Sequence, residues 1–383
     1  MRKFLCLFLI FTLLSGSCFG STALQVDTDV SAEIVTAPSA ILMEQSSGQV
    51  LYELNADEKM HIASVTKTMT LLLIMEALAN GKIKYTDTVT TSEYAASMGG
   101  SQVFLETGEQ MSVEDMVKAI AVASGNDASV AMAEFISGTE SAFVEKMNEK
   151  AIDLGAKNTH FINCNGLDET EEHYSTARDV ALISCELLKY PDITKFTTIW
   201  MDSLRNGEFG LSNTNKLIRF YDGATGLKTG STSVAKYCLS ASAKRNNMEL
   251  VAVVLGAPTT KDRFNSASRL LDYGFANYSI VSAETLGLTF PEISVVGGKV
   301  ETVEVSAPDM NFIVKKGNQD KIQYEIILPE KLSAPLKKGE EIGEIIFTLD
   351  GQELARRMLV AGDDVPRIGF SSLFLKMFKL WCT

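Results

Sequence analysis

Hydrophobic and polar positions divide the 383-residue chain into stretches with the period of strands and stretches with the period of helices. Near the beginning of the chain, residues 40–55 have the pattern of a hairpin with Ser47 and Gly48 at its turn. Three further strands are predicted much later, at 226–231, 236–243 and 248–256. The region between them is mostly helical, so these strands predict one sheet assembled from distant segments.

The helical patterns are strongest in four places. An apolar helix is predicted at 64–79, and a second at 112–123, where a serine begins a capping signal. Another helix begins near Asp127, and a fourth covers 262–277. Helices combined with one sheet predict an α/β (α+β) fold with a helical subdomain, which we assign to residues 24–278.

The pattern changes after the last of these helices. Between 300 and 360 it is that of short strands, and the alternation is clearest at 322–328. Asp350 and Gly351 give a strong hairpin-turn signal between two such runs. The sequence therefore predicts a second, small all-β domain at 285–361.

The last segment, 366–383, has an apolar stripe with helical spacing. The stripe consists of Phe370, Leu373, Phe374, Met377, Phe378 and Trp381. Arg367, Lys376 and Lys379 add positive charge without any acidic residue, which suits an amphipathic helix in the interface of an anionic membrane. The alternative is a helix that packs on the protein's own core. We expect a membrane surface to be its partner.

The N-terminus has the parts of a secretory signal peptide, which we assign to residues 1–23. Arg2 and Lys3 precede a short apolar run, and small residues follow, with cleavage expected after Gly20 or Ala23. The run is too short for a permanent transmembrane helix, and a retained N-terminal anchor is the alternative. The expected location is therefore outside the cytoplasmic membrane, peripheral on its outer face.

Charge, cysteines and histidines exclude several classes of function. The formal net charge is −13 and no basic stripe runs through the chain, so a nucleic-acid partner is not expected. Cys185 and Cys238 lie in apolar runs and are predicted to be buried free thiols. His61, His160 and His173 have no metal-ligand spacing, so neither a metal nor a cofactor is expected.

Ser64 and Lys67 are the first candidates for chemistry. Their spacing places a hydroxyl and an amine on one face of a helix, about one turn apart. A serine becomes a strong nucleophile when a base takes its proton. A lysine can serve as that base when burial or a neighbouring cation lowers its pKa. The pair alone is a weak signal, because Ser233 and Lys236 repeat the spacing in a turn-to-strand stretch.

Two further motifs support the interpretation of Ser64 and Lys67 as catalytic residues. Ser124 and Asn126 stand at the junction of two predicted helices, where a hydroxyl and an amide can face a cleft. Lys228-Thr229-Gly230 lies on a predicted strand whose edge can pair with an extended peptide, and its glycine lets that peptide approach closely. Taken alone, the first motif could be a helix cap and the second could contain a solvated lysine. The ordered set is typical of penicillin-recognising serine enzymes.

At these motifs the chain resembles the D-alanyl-D-alanine carboxypeptidases among the low-molecular-mass penicillin-binding proteins. The resemblance covers nearly everything after the signal and includes the stretches 62–70, 123–128, 175–179 and 226–232. It implies a β-lactamase/DD-peptidase-like sheet, a small C-terminal β domain and an amphipathic tail. It also implies removal of the terminal D-alanine from peptidoglycan stem peptides, and covalent inhibition by β-lactams.

The resemblance implies catalytic roles for three side chains. Ser64 would attack the D-Ala–D-Ala carbonyl to give an acyl-enzyme, and Lys67 would be its base. Ser124 would relay a proton to the leaving amine. The backbone N–H groups of Ser64 and Ser231 would form the oxyanion hole, and water would then release the shortened peptide.

Substrate binding is likewise implied by the resemblance. Asn126 would hold the substrate amide, and Lys228, Thr229 and Arg263 would receive the terminal carboxylate, with Gly230 beside them. Ser231 departs from the family, which often has a histidine or an aromatic residue there. Lys236 departs as well, because the family often has glycine at that position.

Three other functions are alternatives for a chain with these motifs. A serine β-lactamase has these motifs, but the Glu-x-x-Leu-Asn loop of class A enzymes is absent from the sequence. A catalytically idle protein that binds the wall or senses β-lactams would lack a catalytic residue, whereas every catalytic residue type is present. An endopeptidase that cuts D,D-crosslinks can be separated only by an assay on crosslinked muropeptides.

Overall fold

The computed structural model describes residues 34–167, 170–282, 286–307 and 310–370. The predicted signal peptide and almost all of the predicted C-terminal helix lie outside these ranges. Within them, no helix is long and apolar enough to cross a bilayer.

A five-stranded antiparallel sheet forms the centre of the larger domain. In spatial order its strands are β2 (Val50–Leu54), β1 (Ser39–Glu44), β9 (Met248–Ala257), β8 (Lys236–Arg245) and β7 (Ala224–Thr232). Because β1 pairs with β9, the beginning and the end of the domain meet in the middle of the sheet, which confirms the sheet predicted from distant segments. Strand β7 lies at the edge, with β8 on one side only.

Helices and short hairpins fill the long sequence between β2 and β7. The helices of the described chain are α1 (Lys67–Ala79), α2 (Glu93–Ala96), α3 (Val113–Ala123), α4 (Asn126–Ser137), α5 (Glu140–Asp153), α6 (Ala177–Leu187), α7 (Thr194–Thr197), α8 (Leu217–Phe220) and α9 (Thr260–Asn277). The hairpins pair β3 (Thr88–Thr90) with β4 (Gln110–Ser112) and β5 (Met201–Leu204) with β6 (Phe209–Ser212). Short 3-10 turns occur at Ala63–Thr66, Pro191–Ile193, Arg205–Gly207 and Gln319–Lys321.

The two central strands are buried on both faces. Ile41 and Val253 face a core shared with the helical subdomain, whereas Leu42 and Val254 face a second core shared with α9. Alternate residues of a strand point to opposite faces, so both faces must be apolar here. The sheet is therefore a rigid layer between two cores, and α6 and α9 pack on its opposite sides. Among the described cysteines, the predicted burial of free thiols is confirmed.

Local signals explain the boundaries of several elements. Ser112 caps α3 by accepting the N–H of Asp115, as the capping signal predicted. Asn246 and Asn247 form the turn between β8 and β9 with φ of 48° and 63°. Asparagine tolerates this left-handed conformation, which matches the twist of a tight hairpin.

The C-terminal domain is built from short antiparallel strands, with one parallel pair. Its strands are β10 (Tyr278–Val281), β11 (Ile293–Val296), β12 (Thr302–Val303), β13 (Val305–Ser306), β14 (Phe312–Lys315), β15 (Gln323–Ile327), β16 (Lys331–Ser333), β17 (Glu341–Leu349) and β18 (Gln352–Ala361). Asp350 and Gly351 form the predicted turn between β17 and β18, with φ of 50° and 80°. Strand β10 follows α9 directly and pairs with β14 of this domain.

The segment after β18 differs from the sequence prediction at its beginning. A helix from residue 366 is wrong for the first residues, because 366–368 hydrogen-bond as extended backbone to 297–299. The Arg367 guanidinium also donates a hydrogen bond from Nε to the Ala334 carbonyl at 2.9 Å. Arg367 therefore anchors the end of the β domain, and Phe370 is the first helical residue described.

Candidate active site

Ser64 lies in the 3-10 turn Ala63–Thr66 that leads directly into α1. The sequence predicted a helix from Ser64, and the structure begins the α-helix at Lys67 instead. Ala63 has a φ of 46°, a left-handed conformation that costs a non-glycine residue about 1–2 kcal/mol. Such strain persists only where the surrounding packing enforces it, and it is frequent at functional sites. Here the strained residue immediately precedes Ser64, which is half-buried at the start of a buried helix.

Lys67 is completely buried beside the nucleophile. Its Nζ lies 2.9 Å from Ser64 Oγ, 2.6 Å from Asn126 Oδ1 and 2.6 Å from the Asn165 carbonyl oxygen. Burial lowers the pKa of Lys67 to about 7, although nearby groups that include Asp127 partly oppose the shift. The cause is that a buried ammonium loses its hydration. A large fraction of Lys67 is therefore a neutral amine at neutral pH.

The contacts of this amine determine where its lone pair points. A neutral lysine has two N–H donors and one lone pair, and the carbonyl oxygens of Asn126 and Asn165 can only accept hydrogen bonds. These two oxygens make the shortest contacts with Nζ, so they take both N–H groups. In the neutral amine the lone pair then remains for Ser64, whose Oγ lies 2.9 Å from Nζ and whose hydroxyl can donate to it. This is the arrangement that a general base requires.

Asn165 is a site residue that the sequence prediction missed. It contributes a main-chain carbonyl, which every residue type carries, so its identity gave no signal. The only local hint was the Asn165-Gly166 dipeptide, which marks a turn. Gly166 has a φ of 78°, and a Cβ atom there would lie 2.0 Å from the Ala63 carbonyl oxygen. The glycine thus lets this loop cross directly over the turn that carries Ser64.

Ser124 and Asn126 occupy the predicted junction between two helices. Ser124 ends α3 with a φ of 64°, and its buried Oγ has no hydrogen-bond partner among the described residues. Asn126 begins α4, and its Nδ2 donates to the Gly99 carbonyl at 2.7 Å. Its Oδ1 accepts from Lys67, so in this structure the Asn126 side chain orients the base. Nδ2 has a second N–H group. A hydrogen bond between this group and the substrate amide stays a prediction.

Lys228 is buried on the edge strand β7, so the reading of a solvated lysine is wrong. Its Nζ donates to the Thr229 carbonyl at 2.9 Å. Burial, followed by the charges of Lys67 and Arg263, lowers the pKa of Lys228 well below its ordinary value. Lys67 and Lys228 are thus close enough for their charges to interact.

Thr229 joins the second and third motifs. Its Oγ1 donates to Thr214 Oγ1 at 2.7 Å, and the Thr214 N–H donates to the Val122 carbonyl near the end of α3. Because α3 ends at Ser124, this short chain of contacts brings β7 beside the helix junction. The three motifs of the sequence therefore converge in the fold.

Gly230 is required for a different reason from the one predicted. A Cβ atom at this position would lie 2.6 Å from the Ile62 carbonyl oxygen and 2.9 Å from the amide nitrogens of Ser64 and Val65. The glycine thus permits β7 to pack against the turn of the nucleophile, and not only to admit a peptide. Ser231, the next residue, is exposed.

Arg263 is buried at the N-terminal end of α9. Its Nη1 donates to the carbonyl oxygens of Gly230 and Cys238, at 3.1 Å and 3.2 Å. The guanidinium therefore braces β7 against β8 in this structure, and carboxylate binding by Arg263 stays a prediction. Lys236 of the repeated Ser-x-x-Lys spacing is exposed at the turn between these strands, away from the buried pair.

In the part of the chain that the structure describes, no group of three or more histidine, cysteine, aspartate or glutamate side chains could hold a metal ion. The arrangement is that of an acyl-transfer site: a nucleophile, a neutral buried amine and an edge strand beside them.

Comparisons with known proteins bear on this arrangement. A family model described as D-alanyl-D-alanine carboxypeptidase matches residues 26–259, and one described as penicillin-binding protein 5, C-terminal domain, matches 280–367. The chain is 49% identical over 350 residues to the D-alanyl-D-alanine carboxypeptidase DacF of Bacillus subtilis, covering 90% of each protein. It is 35% identical to DacA of Escherichia coli, covering 90% of this chain and 88% of that protein. Penicillin binding protein 5 from Haemophilus influenzae has a similar solved structure, with a TM-score of 0.75, 37% identity, and coverage of 87% of this chain and 98% of that one.

Proposed function

The chain belongs to the D-alanyl-D-alanine carboxypeptidase family, and from that membership we propose that its acyl-enzyme forms on Ser64 with Lys67 as the base. It is a serine-type D-alanyl-D-alanine carboxypeptidase, a hydrolase that acts on peptidoglycan, and penicillin binding is typical of its family. The assignment of Ser64 and Lys67 rests on one observation above all. The fully buried Nζ of Lys67 has two short carbonyl acceptors and, as its remaining neighbour, the Ser64 hydroxyl.

In the acylation step, the proton of Ser64 Oγ moves to the lone pair of Lys67. Oγ forms a bond to the carbonyl carbon of the penultimate D-alanine, and the carbonyl electrons move to oxygen. The two acceptors of Lys67 favour the ammonium that forms, because each can keep its hydrogen bond as the charge appears. The proton transfer therefore needs no rearrangement around the base.

Collapse of the tetrahedral intermediate breaks the C–N bond, and the leaving D-alanine amine must take up a proton. We propose that the Ser124 hydroxyl gives its proton to this amine. The Lys67 ammonium then gives a proton to Ser124 Oγ. The support is that Ser124 Oγ is buried at the junction beside Asn126 and bonds to no other described group. Water next attacks the acyl carbon while Lys67, neutral again, takes one of its protons. When the bond between the acyl carbon and Ser64 Oγ breaks, the Lys67 ammonium returns this proton to Oγ, so the shortened peptide leaves and both Ser64 and Lys67 are restored.

The oxyanion and the substrate backbone would be held by main-chain groups. Gly230 packs against the Ser64 turn, which supports an oxyanion hole made of the N–H groups of Ser64 and Ser231. The outer edge of β7 has no strand neighbour in the described chain, so an extended stem peptide can add to it as a further strand. Lys228, Thr229 and Arg263 would place positive charge and a hydroxyl at the carboxylate end of that peptide.

The decisive experiment is mass spectrometry of muropeptides after incubation with the wild type and with Ser64→Ala. We expect loss of one D-alanine with the wild type only. Fluorescent penicillin should label the wild type at Ser64, and the Ser64→Ala variant should remain unlabelled. Trimming of the pentapeptide by Ser64→Ala at the wild-type rate would refute the assignment of the nucleophile.

We further propose that the enzyme acts outside the cytoplasmic membrane and is held on its outer face by residues 370–383. Two sequence features support this: the signal-peptide pattern at 1–23 and the basic, apolar stripe at the C-terminus. Anionic headgroups would attract Lys376 and Lys379, and Trp381 would lie at headgroup depth. The anchored tail then keeps the catalytic domain close to newly made peptidoglycan.

A further inference from the structure

His173 is a buried histidine that the mechanism above does not use. It belongs to the loop 160–174, which is closed at its base by hydrogen bonds between the backbones of His160 and Tyr174, at 2.9 Å and 3.1 Å. The same loop carries Asn165, whose carbonyl is one of the two acceptors on Lys67. The position of this loop therefore determines where the Asn165 carbonyl lies relative to Lys67 Nζ.

The hydrogen bonds of His173 define the form of its ring. The Ile162 N–H donates to Nδ1 at 3.3 Å, so Nδ1 carries the lone pair. In the neutral ring the proton is then on Nε2. Nε2 lies 2.8 Å from Thr66 Oγ1 and donates to it. Phe161 holds the ring edge-on, with centroids 5.8 Å apart.

Thr66 is the residue directly before Lys67, in the turn that carries Ser64. Its hydroxyl touches the loop at two places. One is the hydrogen bond with His173, and the other is Gly166, where a Cβ atom would lie 2.7 Å from Thr66 Oγ1. Thr66 thus lies between two residues of the loop, His173 and Gly166, and Gly166 directly follows Asn165.

We propose that His173 is a positioning residue for the catalytic base, a role that rests on the proposed function of Lys67. Its hydrogen bond to Thr66 fixes the turn of Ser64 and Lys67 relative to the loop, and so keeps the Asn165 carbonyl on Nζ. If the loop shifts, Nζ loses one of its two acceptors. An N–H of Lys67 can then turn towards Ser64, and the lone pair no longer faces the hydroxyl.

The test measures acylation by a β-lactam, with the initial binding constant separated from the acylation rate constant. In His173→Leu the hydrogen bonds with Thr66 and Ile162 are lost while most of the volume is kept. We expect roughly a 10- to 100-fold slower acylation with little change in initial binding, as for a small misplacement of a catalytic group. His173→Gln should restore much of the rate, because its amide can donate to Thr66 and accept from Ile162.

A second variant separates positioning from folding. Thr66→Val removes only the hydroxyl, and should slow acylation by a similar factor with a melting temperature near that of the wild type. Because both changes remove the same hydrogen bond, the one between Thr66 and His173, the double variant should be no slower than the slower single variant. Lys157→Leu, at an exposed position just before the loop whose side chain holds none of its contacts, is the control and should acylate normally.

Two results would overturn the proposal. One is independent, multiplicative effects of Thr66→Val and His173→Leu on the acylation rate constant. The other is an acylation rate constant in His173→Leu that equals that of the Lys157→Leu control. Failure of the proposed function would look different, because wild-type enzyme would then carry no acyl group on Ser64.

Discussion

Gly230 and Ser64 are packed so closely that a Cβ atom on the glycine would lie 2.9 Å from the Ser64 amide nitrogen. The edge strand β7 and the turn that carries Ser64 are therefore in direct backbone contact. Neither backbone can move away easily, because β7 is paired along its length with β8 and the turn continues into a buried helix. Adding a methyl group at Gly230 would therefore show whether the site depends on this close contact.

We therefore expect Gly230→Ala to slow acylation by about 100-fold or more, because it displaces β7 from the Ser64 amide. The measurement is the rate of covalent labelling by fluorescent penicillin. Gly210→Ala is a matched control, since Gly210 is also in a strand and a Cβ atom there meets nothing within 4 Å. Near-normal labelling of Gly230→Ala would contradict the backbone contact.

The pKa of Lys67, about 7, predicts the pH dependence of acylation. Only the neutral amine can take the proton of Ser64, so the rate constant should rise with pH, reach half of its maximum near pH 7, and fall about tenfold per unit below that. Stopped-flow acylation between about pH 5 and 9 gives the profile. Lys67→Arg, which keeps its charge at every such pH, should be inactive throughout. An acylation rate constant that still rises about tenfold per unit towards pH 9 would contradict the lowered pKa of Lys67.

Asn126→Asp should move that profile to higher pH. The change places a carboxylate about where the Asn126 oxygen lies, 2.6 Å from Lys67 Nζ, and a neighbouring negative charge favours the ammonium. We expect the midpoint of the acylation profile to rise by about one unit or more. Asn206→Asp alters the net charge equally at an exposed position and should leave the midpoint in place. An unchanged midpoint in Asn126→Asp would mean that Asn126 does not orient the base.

Membrane attachment can be tested without disturbing the β domain. Because 366–368 pair with 297–299, a chain that stops after Gly369 keeps these contacts and loses only the proposed anchor. This truncation should move the enzyme from the membrane fraction to the soluble one while its penicillin labelling stays normal. Replacing Lys376 and Lys379 by glutamate in the full chain should weaken attachment, since anionic lipid repels the new charges. Continued membrane retention of the truncated enzyme would refute the anchor.

Local patterns predicted much of the fold. The turn at Asp350 and Gly351, the cap at Ser112 and the helices that flank Ser124 depend on residues close in sequence, so each has a local signature. The nucleophile and its base were predicted for the same reason, because they are three residues apart in one turn.

The roles of other site residues could not be predicted in this way. Asn165 contacts Lys67 through a main-chain carbonyl, and His173 contacts the hydroxyl of Thr66 from more than a hundred residues away in the chain. The resemblance implied that Arg263 receives a carboxylate, which stays a prediction, and it gave no sign that the guanidinium bonds to two backbone carbonyls. Such roles depend on which loops meet after folding.

The sequence by itself determined the candidate active-site residues: a serine and a lysine one turn apart, a serine and an asparagine at a helix junction, and a lysine-threonine-glycine strand. Spacing within single elements is enough for that, because backbone periodicity decides which side chains share a face. Only the tertiary structure decided how Lys67 can act as the proposed base. Burial lowers the pKa of Lys67, and two oxygens, the side-chain oxygen of Asn126 at the start of α4 and the main-chain oxygen of Asn165 in a loop, leave its lone pair for Ser64.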